Sequence, residues 1–375
     1  ALYPTRPLDP SPSLRLDSSG GQPSMSPLAT PPADPKAEAG YAPSWLDRLL
    51  RAVDRLPWPW YATYAAAFLL GQALIAGIRA ADGRTLAAHF LEPPRVFWLW
   101  AAYLPAFTHY LNRVAREKLA RFREVLTVDD DAYRGLAYRL TTMPFWPPLL
   151  VGLLSVALGI ATLRLNQDLI TSLGFPLWEE WATVASYALG GTAIYHSIHQ
   201  LRAVSRTYAM VGDLDLHHLE PVHALSALTG RTAAGWILLL VATQAVMPRA
   251  LASRMAVELG FAILILVAGA SFFAPLLGMH RRLEQEKATA LSGLSDAART
   301  LRHQLRARIQ AGDLEGLDLP QKSLGFLTAE RDLIARTSTW PWQPATLRGF
   351  LSALLLPVIL KLLQGALGAL LGLGG

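Results

Sequence analysis

The sequence predicts an all-α fold, a polytopic bundle of seven membrane-spanning helices with the N-terminus inside, the C-terminus outside and helical extensions in the cytoplasm. Three observations predict it. Hydrophobic residues make up 52% of the 375 residues and charged ones only 17%, against about 25% charged in soluble domains. Seven apolar stretches of helical length follow one another, several opened by tryptophan. Lysine and arginine rise and fall alternately from one gap between stretches to the next.

Residues 1–43 hold ten of the 26 prolines, with many Ser and Gly. Such a segment buries too little surface to offset its chain entropy, so a disordered Pro/Ser-rich tail is expected. Residues 44–57 change character. Ser44 and Asp47 fit a capping box. Trp45, Leu46, Leu49, Leu50, Val53 and Leu56 recur at helical spacing, with Arg48, Arg51 and Arg55 on the other face. The pattern fits an interfacial helix whose arginines meet lipid phosphates, or equally one packed on the protein's own cytoplasmic part.

The apolar stretches lie near 58–78, 96–112, 145–163, 179–198, 233–248, 257–279 and 349–371. The first long apolar run opens only near Trp58, so no signal peptide is expected. Trp58/Trp60, Trp98/Trp100, Trp146, Trp178/Trp181 and Trp340/Trp342 mark headgroup levels. Before the first stretch and in the six gaps that follow, Lys and Arg number six, three, seven, one, three, two and eleven; 27 therefore fall on one side and six on the other. Positive residues stay cytoplasmic, and this sets the orientation. The expected divisions are the tail 1–43, the amphipathic helix 44–57, spans one to six with their extensions in 58–280, a cytoplasmic helical region 281–340 and the last span 341–375.

The even gaps carry more than loops. Helical spacing continues past the second span through Arg113, Arg116, Lys118, Arg121 and Arg123, which makes Arg113, Arg116 and Arg121 further candidates for binding anionic lipid. After the sixth span Leu291, Leu294, Ala298, Leu301 and Leu305 alternate steps of three and four until Gly312 and Pro320 break the helix. A second short helix is expected over 323–336.

The last span carries one charge, Lys361. Pro357, Lys361, Gln364, Gly368 and Gly372 are spaced four, three, four and four, which places them on one face. A polar and small stripe on a spanning helix faces protein or water. As a functional stripe it lines a conduit, with Lys361 biasing it toward anions or gating it. As a packing stripe it seats helix on helix, with Lys361 snorkelling to the outer headgroups.

His217, His218 and His223 with Glu220 form a weak metal candidate. Their spacing is not His-Glu-x-x-His, and Pro221 interrupts them, so a solvated helix start competes. Tyr195, His196 and His199 at the inner end of the fourth span fit an interfacial polar cap. Cysteine is absent, which excludes disulfides, thiolate metal sites and cysteine nucleophiles. No phosphate loop, serine nucleophile elbow or dinucleotide fingerprint occurs. No enzyme activity, cofactor or nucleic-acid partner is expected. The expected partners are the lipid bilayer, further copies of the chain and a small ligand or ion, and the expected location is the plasma (inner) membrane.

Seven spans with the N-terminus inside are the reverse of G-protein-coupled receptors. The adiponectin-receptor family shares the orientation, but its zinc histidines on the last span have no counterpart, since no His follows His303. The arrangement resembles the inverted seven-helix channels typified by insect odorant and gustatory receptors. The similarity spans the whole chain and is one of layout: 323–336, Trp340-Pro341-Trp342 and 349–371 resemble that family's split last helix. Its Thr-Tyr and later Gln-Phe signature is unmatched, for no Phe follows Gln364. The resemblance implies an oligomeric ion channel or chemoreceptor-like channel whose last helix lines the pore and whose cytoplasmic helices hold subunits together. The alternative is a non-conducting membrane scaffold or sensor that binds partners or anionic lipid through its basic cytoplasmic helices.

Overall fold

The computed structural model describes residues 40–81, 96–172, 177–212, 215–216, 219–246, 255–312, 317–342 and 344–370. Residues 1–39 of the Pro-rich tail, His217, His218 and Gly372 lie outside them. Among the described residues the chain is helical, with two isolated bridges, Pro43 to Pro144 and Leu126 to Val211, and no strand. In chain order the helices are α1 (Trp45–Asp54), α2 (Trp60–Ala81), α3 (Val96–Phe122), α4 (Asp130–Thr141), α5 (Trp146–Leu165), α6 (Gln167–Ser172), α7 (Leu177–Tyr208), α8 (Glu220–Val246), α9 (Met255–Phe273), α10 (Leu277–Gln310), α11 (Asp318–Arg336) and α12 (Pro344–Leu370).

Among the described residues four helical runs are long and apolar enough to cross a membrane: Trp60–Ile78, Trp146–Leu165, Glu220–Ala245 and Glu258–Gln310, the last taking in α9 and α10. The expected stretches near 96–112, 179–198 and 349–371 fall within α3, α7 and α12. Their apolar runs are interrupted by Thr108, His109 and Asn112, by Thr192, His196 and Ser197, and by Lys361 and Gln364. The burial pattern departs from that of a water-soluble bundle: bare apolar faces stand outside while several polar residues lie within the hydrophobic core. Leu70, Leu154 and Leu266 are 70%, 71% and 72% exposed, while Asn112, His196, Gln200, Thr229 and Thr232 are buried. Water would penalise such bare leucine faces and hydrocarbon would not. The long apolar helices are therefore compatible with a membrane-embedded protein.

At the centre α3 packs on α7 and α8; α5 covers α7, α2 covers α3, and α9 and α12 lean on α8. Close approach needs small residues. A Cβ on Gly191 of α7 would stand 2.8 Å from Ser155 Cβ and 3.0 Å from the Val151 carbonyl of α5, and one on Gly159 would meet the Tyr187 ring at 3.0 Å. Small residues at helix crossings are the usual means of close packing in apolar surroundings.

The capping box of α1 forms as expected, with Ser44 and Asp47 bonding each other's backbone N–H. Its apolar face, Leu46, Leu50 and Val53, packs with Tyr64 and Met143 rather than lying bare toward a membrane. Of the two readings of this helix, packing on the protein describes that face, while Arg48, Arg51 and Arg55 stay exposed on the other. Asp47 ties the helix down. Its Oδ2 accepts from the Ser44 amide at 3.1 Å, the Ser44 hydroxyl at 2.7 Å and the Met143 amide at 2.9 Å. Its Oδ1 is buried with no hydrogen-bond partner.

Burial holds the Asp47 carboxyl above the usual carboxylate range, although those three donors pull it down. The folded chain thus binds this proton more tightly than the unfolded chain. The contribution to stability is complete below the ordinary aspartate value of about 4 and is lost as pH rises through the raised one. Asp47→Asn keeps an oxygen for all three donors and removes the titration. Thermal unfolding against pH should show a decline in the parent above about pH 4 that the variant lacks. Parallel curves would refute the assignment.

Of two further points, the first agrees with expectation and the second differs. α10 ends at Gln310, and Gly312 then takes φ +74°, a left-handed turn that favours glycine at a helix end. α11 begins at Asp318, earlier than 323, because Pro320 falls in its first turn, where no intrahelical N–H is needed. α10 and α11 pair as a hairpin, and Lys287 Nζ closes its base on the Ala335 and Thr337 carbonyls at 2.7 and 2.8 Å. Arg282 fastens the start of α10 to the turn after α7 through the Val211 and Gly212 carbonyls, both at 2.7 Å. Each cation sits at a helix C-terminus, where free carbonyls and the helix dipole favour positive charge.

Candidate functional site

α3 and α7 each place polar residues one turn apart in otherwise apolar sequence, Thr108, His109 and Asn112 on one and His196, Ser197 and Gln200 on the other. Helical spacing brings 108 with 112, and 196 with 200, onto one face. The two faces meet. Asn112 Oδ1 accepts from His196 Nε2 at 2.9 Å and from Gln200 Nε2 at 3.4 Å, and Gln200 Nε2 also donates to the Leu140 carbonyl at 3.0 Å. Trp236 of α8 joins by donating to Ser197 Oγ at 3.0 Å. Nearer the other end, Trp100 donates to Thr243 at 2.8 Å and Tyr103 to the Gly235 carbonyl at 2.7 Å. The core joining α3, α7 and α8 thus mixes polar bonds with packing.

This polar cluster is not saturated. Since His196 gives its Nε2 proton to Asn112, its Nδ1 is left as a bare acceptor. Among the described residues His196 Nδ1, Gln200 Oε1 and Thr108 Oγ1 are buried without a hydrogen-bond partner. Buried polar atoms are nearly always partnered. Neutral acceptors such as His196 Nδ1 and Gln200 Oε1 suit a neutral hydrogen-bond donor, whereas an uncompensated cation would cost far more to bury.

A second chain of groups runs along the other side of α3. Asp54 Oδ1, at the end of α1, lies 3.1 Å from His109 Nε2 and 3.7 Å from Arg113. His109 Nδ1 lies 3.2 Å from the Tyr64 hydroxyl of α2, and the Trp60 ring stacks on the imidazole at 4.9 Å. The carboxylate fixes the tautomer: Nε2–H donates to Asp54, and Nδ1 accepts from Tyr64. Asp54 keeps 35% of its side chain exposed while His109 keeps 1%, so the three groups connect the surface to the interior.

The expected site residues fall in different places. His196 is wholly buried in the core rather than capping an interface. His199 packs instead on the segment before α1, with Nε2 3.0 Å from the Arg139 carbonyl and 3.4 Å from the Tyr41 hydroxyl, and its ring stacked on Tyr195. Arg113, Arg116 and Arg121 are exposed along the end of α3, Arg121 pairing with Glu117 at 3.2 Å. The Glu117 carboxyl is held below the usual carboxylate range by Lys118, which donates to it at 3.0 Å. His223 is half-buried, and the described residues contain no group of three His, Asp or Glu able to hold a metal.

Pro357, Lys361, Gln364 and Gly368 lie on α12, but their side chains are outside what the structure describes. By helical register they continue the stripe of Thr346, Phe350 and Leu354. That stripe packs inward, Thr346 against Gly230 of α8 and Phe350 on the Phe272 ring at 4.2 Å. Leu351, Leu355, Ile359 and Leu363 form the opposite, exposed stripe.

Asp54, Tyr64, His109 and Asn112 were not singled out in the sequence. The available signal was three polar residues, Thr108, His109 and Asn112, at the inner end of the second apolar stretch. No family model, curated protein or solved structure matches this chain.

Proposed function

We propose that the chain is a seven-span membrane protein, N-terminus inside and C-terminus outside, acting as an oligomeric ion channel or chemoreceptor-like channel whose last span borders the path. The observation that carries this reading is the way α12 is held. It is entered from a cytoplasmic hairpin through the Trp340-Pro341-Trp342 turn, and in its own chain it leans chiefly on α8. A helix seated chiefly on α8, with an aromatic contact to α9, can shift without unpacking α3 from α7, as gating requires. Further copies of the chain would cover its open side. The test is ionic current from the protein reconstituted in planar bilayers. Lys361→Leu should shift the reversal potential toward cations, because a positive charge beside the path is lost. Absence of flux in the parent would sink the reading.

The second reading is a non-conducting scaffold or sensor. It is favoured by the register of α12, whose polar stripe is in step with the inward-packing Thr346, Phe350 and Leu354, while Leu351, Leu355, Ile359 and Leu363 are exposed. The exposed Arg113, Arg116 and Arg121 then serve as a surface for anionic lipid. The oligomeric state in a lipid disc separates the two: a ring centred on α12 supports conduction, and a monomer with α12 at its rim supports the scaffold.

A further inference from the structure

Five rings from four parts of the chain form a continuous stack. His280, in the first turn of α10, lies on Trp340 with centroids 3.8 Å apart and planes 6° from parallel. Trp340 lies on Trp342 at 4.2 Å and 15°. Trp342 lies on Phe272 of α9 at 5.3 Å, and Phe272 on Phe350 of α12 at 4.2 Å and 2°. Phe273 meets Trp342 and Phe350 edge-on, closing the stack from the side. The stack joins the base of the cytoplasmic hairpin to the first turns of the last helix.

The polar end of this stack has an unusual requirement. His280 Nδ1 lies 3.0 Å from the Thr339 carbonyl oxygen, and Nε2 lies 3.4 Å from Glu284 Oε1. Both neighbours are acceptors. A neutral imidazole carries one N–H, so it leaves either the carbonyl or the carboxylate facing a bare lone pair. Only the imidazolium has a proton for each. Exchanging the two ring faces does not change this, since an acceptor still stands on each side. The same charge also strengthens the contact with the Trp340 face, where a cation over an indole is favoured.

Two neighbouring cations are committed elsewhere. Lys287, two turns along α10, is held by the Ala335 and Thr337 carbonyls. Arg282 is turned to the Val211 and Gly212 carbonyls. The turn itself presents Thr339, Trp340 and Trp342, and α9 and α12 present Phe272, Phe273 and Phe350. Glu284 is thus the carboxylate that faces the ring.

We propose that His280 is a proton-operated latch: as imidazolium it clips the Thr339–Trp342 turn to the base of α10, and loss of the proton releases the turn and loosens the seat of α12. The latch closes when the ring gains its second proton and opens when it loses it. It acts on the seat of the last helix whether or not that helix borders an ion path, so it stands apart from the channel reading.

The test is hydrogen–deuterium exchange of the 337–342 backbone in the full chain in lipid discs at about pH 5.5 and about pH 8.5, either side of the range in which imidazoles titrate. Rates are normalised to the intrinsic exchange at each pH. Protection in the parent should be about tenfold greater at the lower pH, the ratio expected for a hydrogen bond to a charged group. His280→Arg keeps a stacking cation that donates to both acceptors and does not titrate, so its protection should be high and equal at both pH values. His280→Phe keeps the stack without the charge and should match the parent at the higher pH. Equal protection of the parent at both pH values would overturn the proposal, as would a His280→Arg variant that responds to pH as the parent does. Should His280→Phe fail to fold, the parent and His280→Arg still decide the matter.

Discussion

Gly191→Val is expected to be among the most damaging single changes in the protein, costing about 3 kcal/mol of stability through overpacking. The reason lies where α7 crosses α5. A Cβ on Gly191 would overlap the Ser155 hydroxyl and press on Ser155 Cβ at 2.8 Å and the Val151 carbonyl at 3.0 Å. Ser155 can turn away, but the backbone carbonyl is not free to. The two helices must therefore move apart, and the contacts around Gly159 and Tyr187 loosen with them. A control is at hand on α9, where a Cβ on Gly269 would meet nothing within 4 Å. Gly269→Ala should be neutral or slightly stabilising, since alanine is the better helix former. Thermal unfolding of both variants in one detergent measures the contrast. Similar melting temperatures for Gly191→Val and the parent would mean that α5 and α7 do not approach as described.

Asn112→Leu should cost about 2–3 kcal/mol, and much of that loss should be regained when His196→Leu is added. Asn112 Oδ1 is the acceptor for His196 Nε2. Removing it strands a buried donor, which costs more than the bond itself was worth. Removing both partners leaves an apolar contact between the two positions. Gln200 keeps its bond to the Leu140 carbonyl in every variant but loses the 3.4 Å contact with Asn112 Oδ1 in both variants that lack Asn112, so that loss cancels from the coupling. A coupling of about 1–2 kcal/mol is expected for groups in direct contact. Additive losses would show that the two side chains do not meet. The bare His196 Nδ1 and Gln200 Oε1 sharpen the comparison. If a neutral donor occupies the space beside them, the double variant should remain less stable than the parent, because that donor loses a partner.

Much of the local structure was legible in the chain. Ser44 and Asp47 announced the start of α1, and the apolar runs over 58–78, 145–163 and 257–279 correspond to α2, α5 and α9, because length and composition suffice to make a greasy helix. The helical spacing beyond Leu291 likewise gave α10. The break at Gly312 was placed by its freedom to adopt positive φ. The start of α11 was placed too late, since proline is forbidden inside a helix but welcome in its first turn. In the sequence Lys361 and the His217–His223 cluster stand out because their residue types are rare in their surroundings. His109 and Asn112 stand out less, yet in the fold they meet Asp54, Tyr64 and His196.

The order of the residues alone decided that this chain forms long apolar helices with basic ends, because helix formation and transfer from water depend on neighbours within a few turns. Only the folded bundle decided that Asn112 meets His196 across 84 residues and that His109 reaches Asp54 across 55. It likewise decided that Thr346 and Phe350 of α12 pack inward, against Gly230 and Phe272. Those pairings follow from which helix faces approach, and that is settled by close packing at positions such as Gly191 and Gly235. No local periodicity records which distant face a glycine admits.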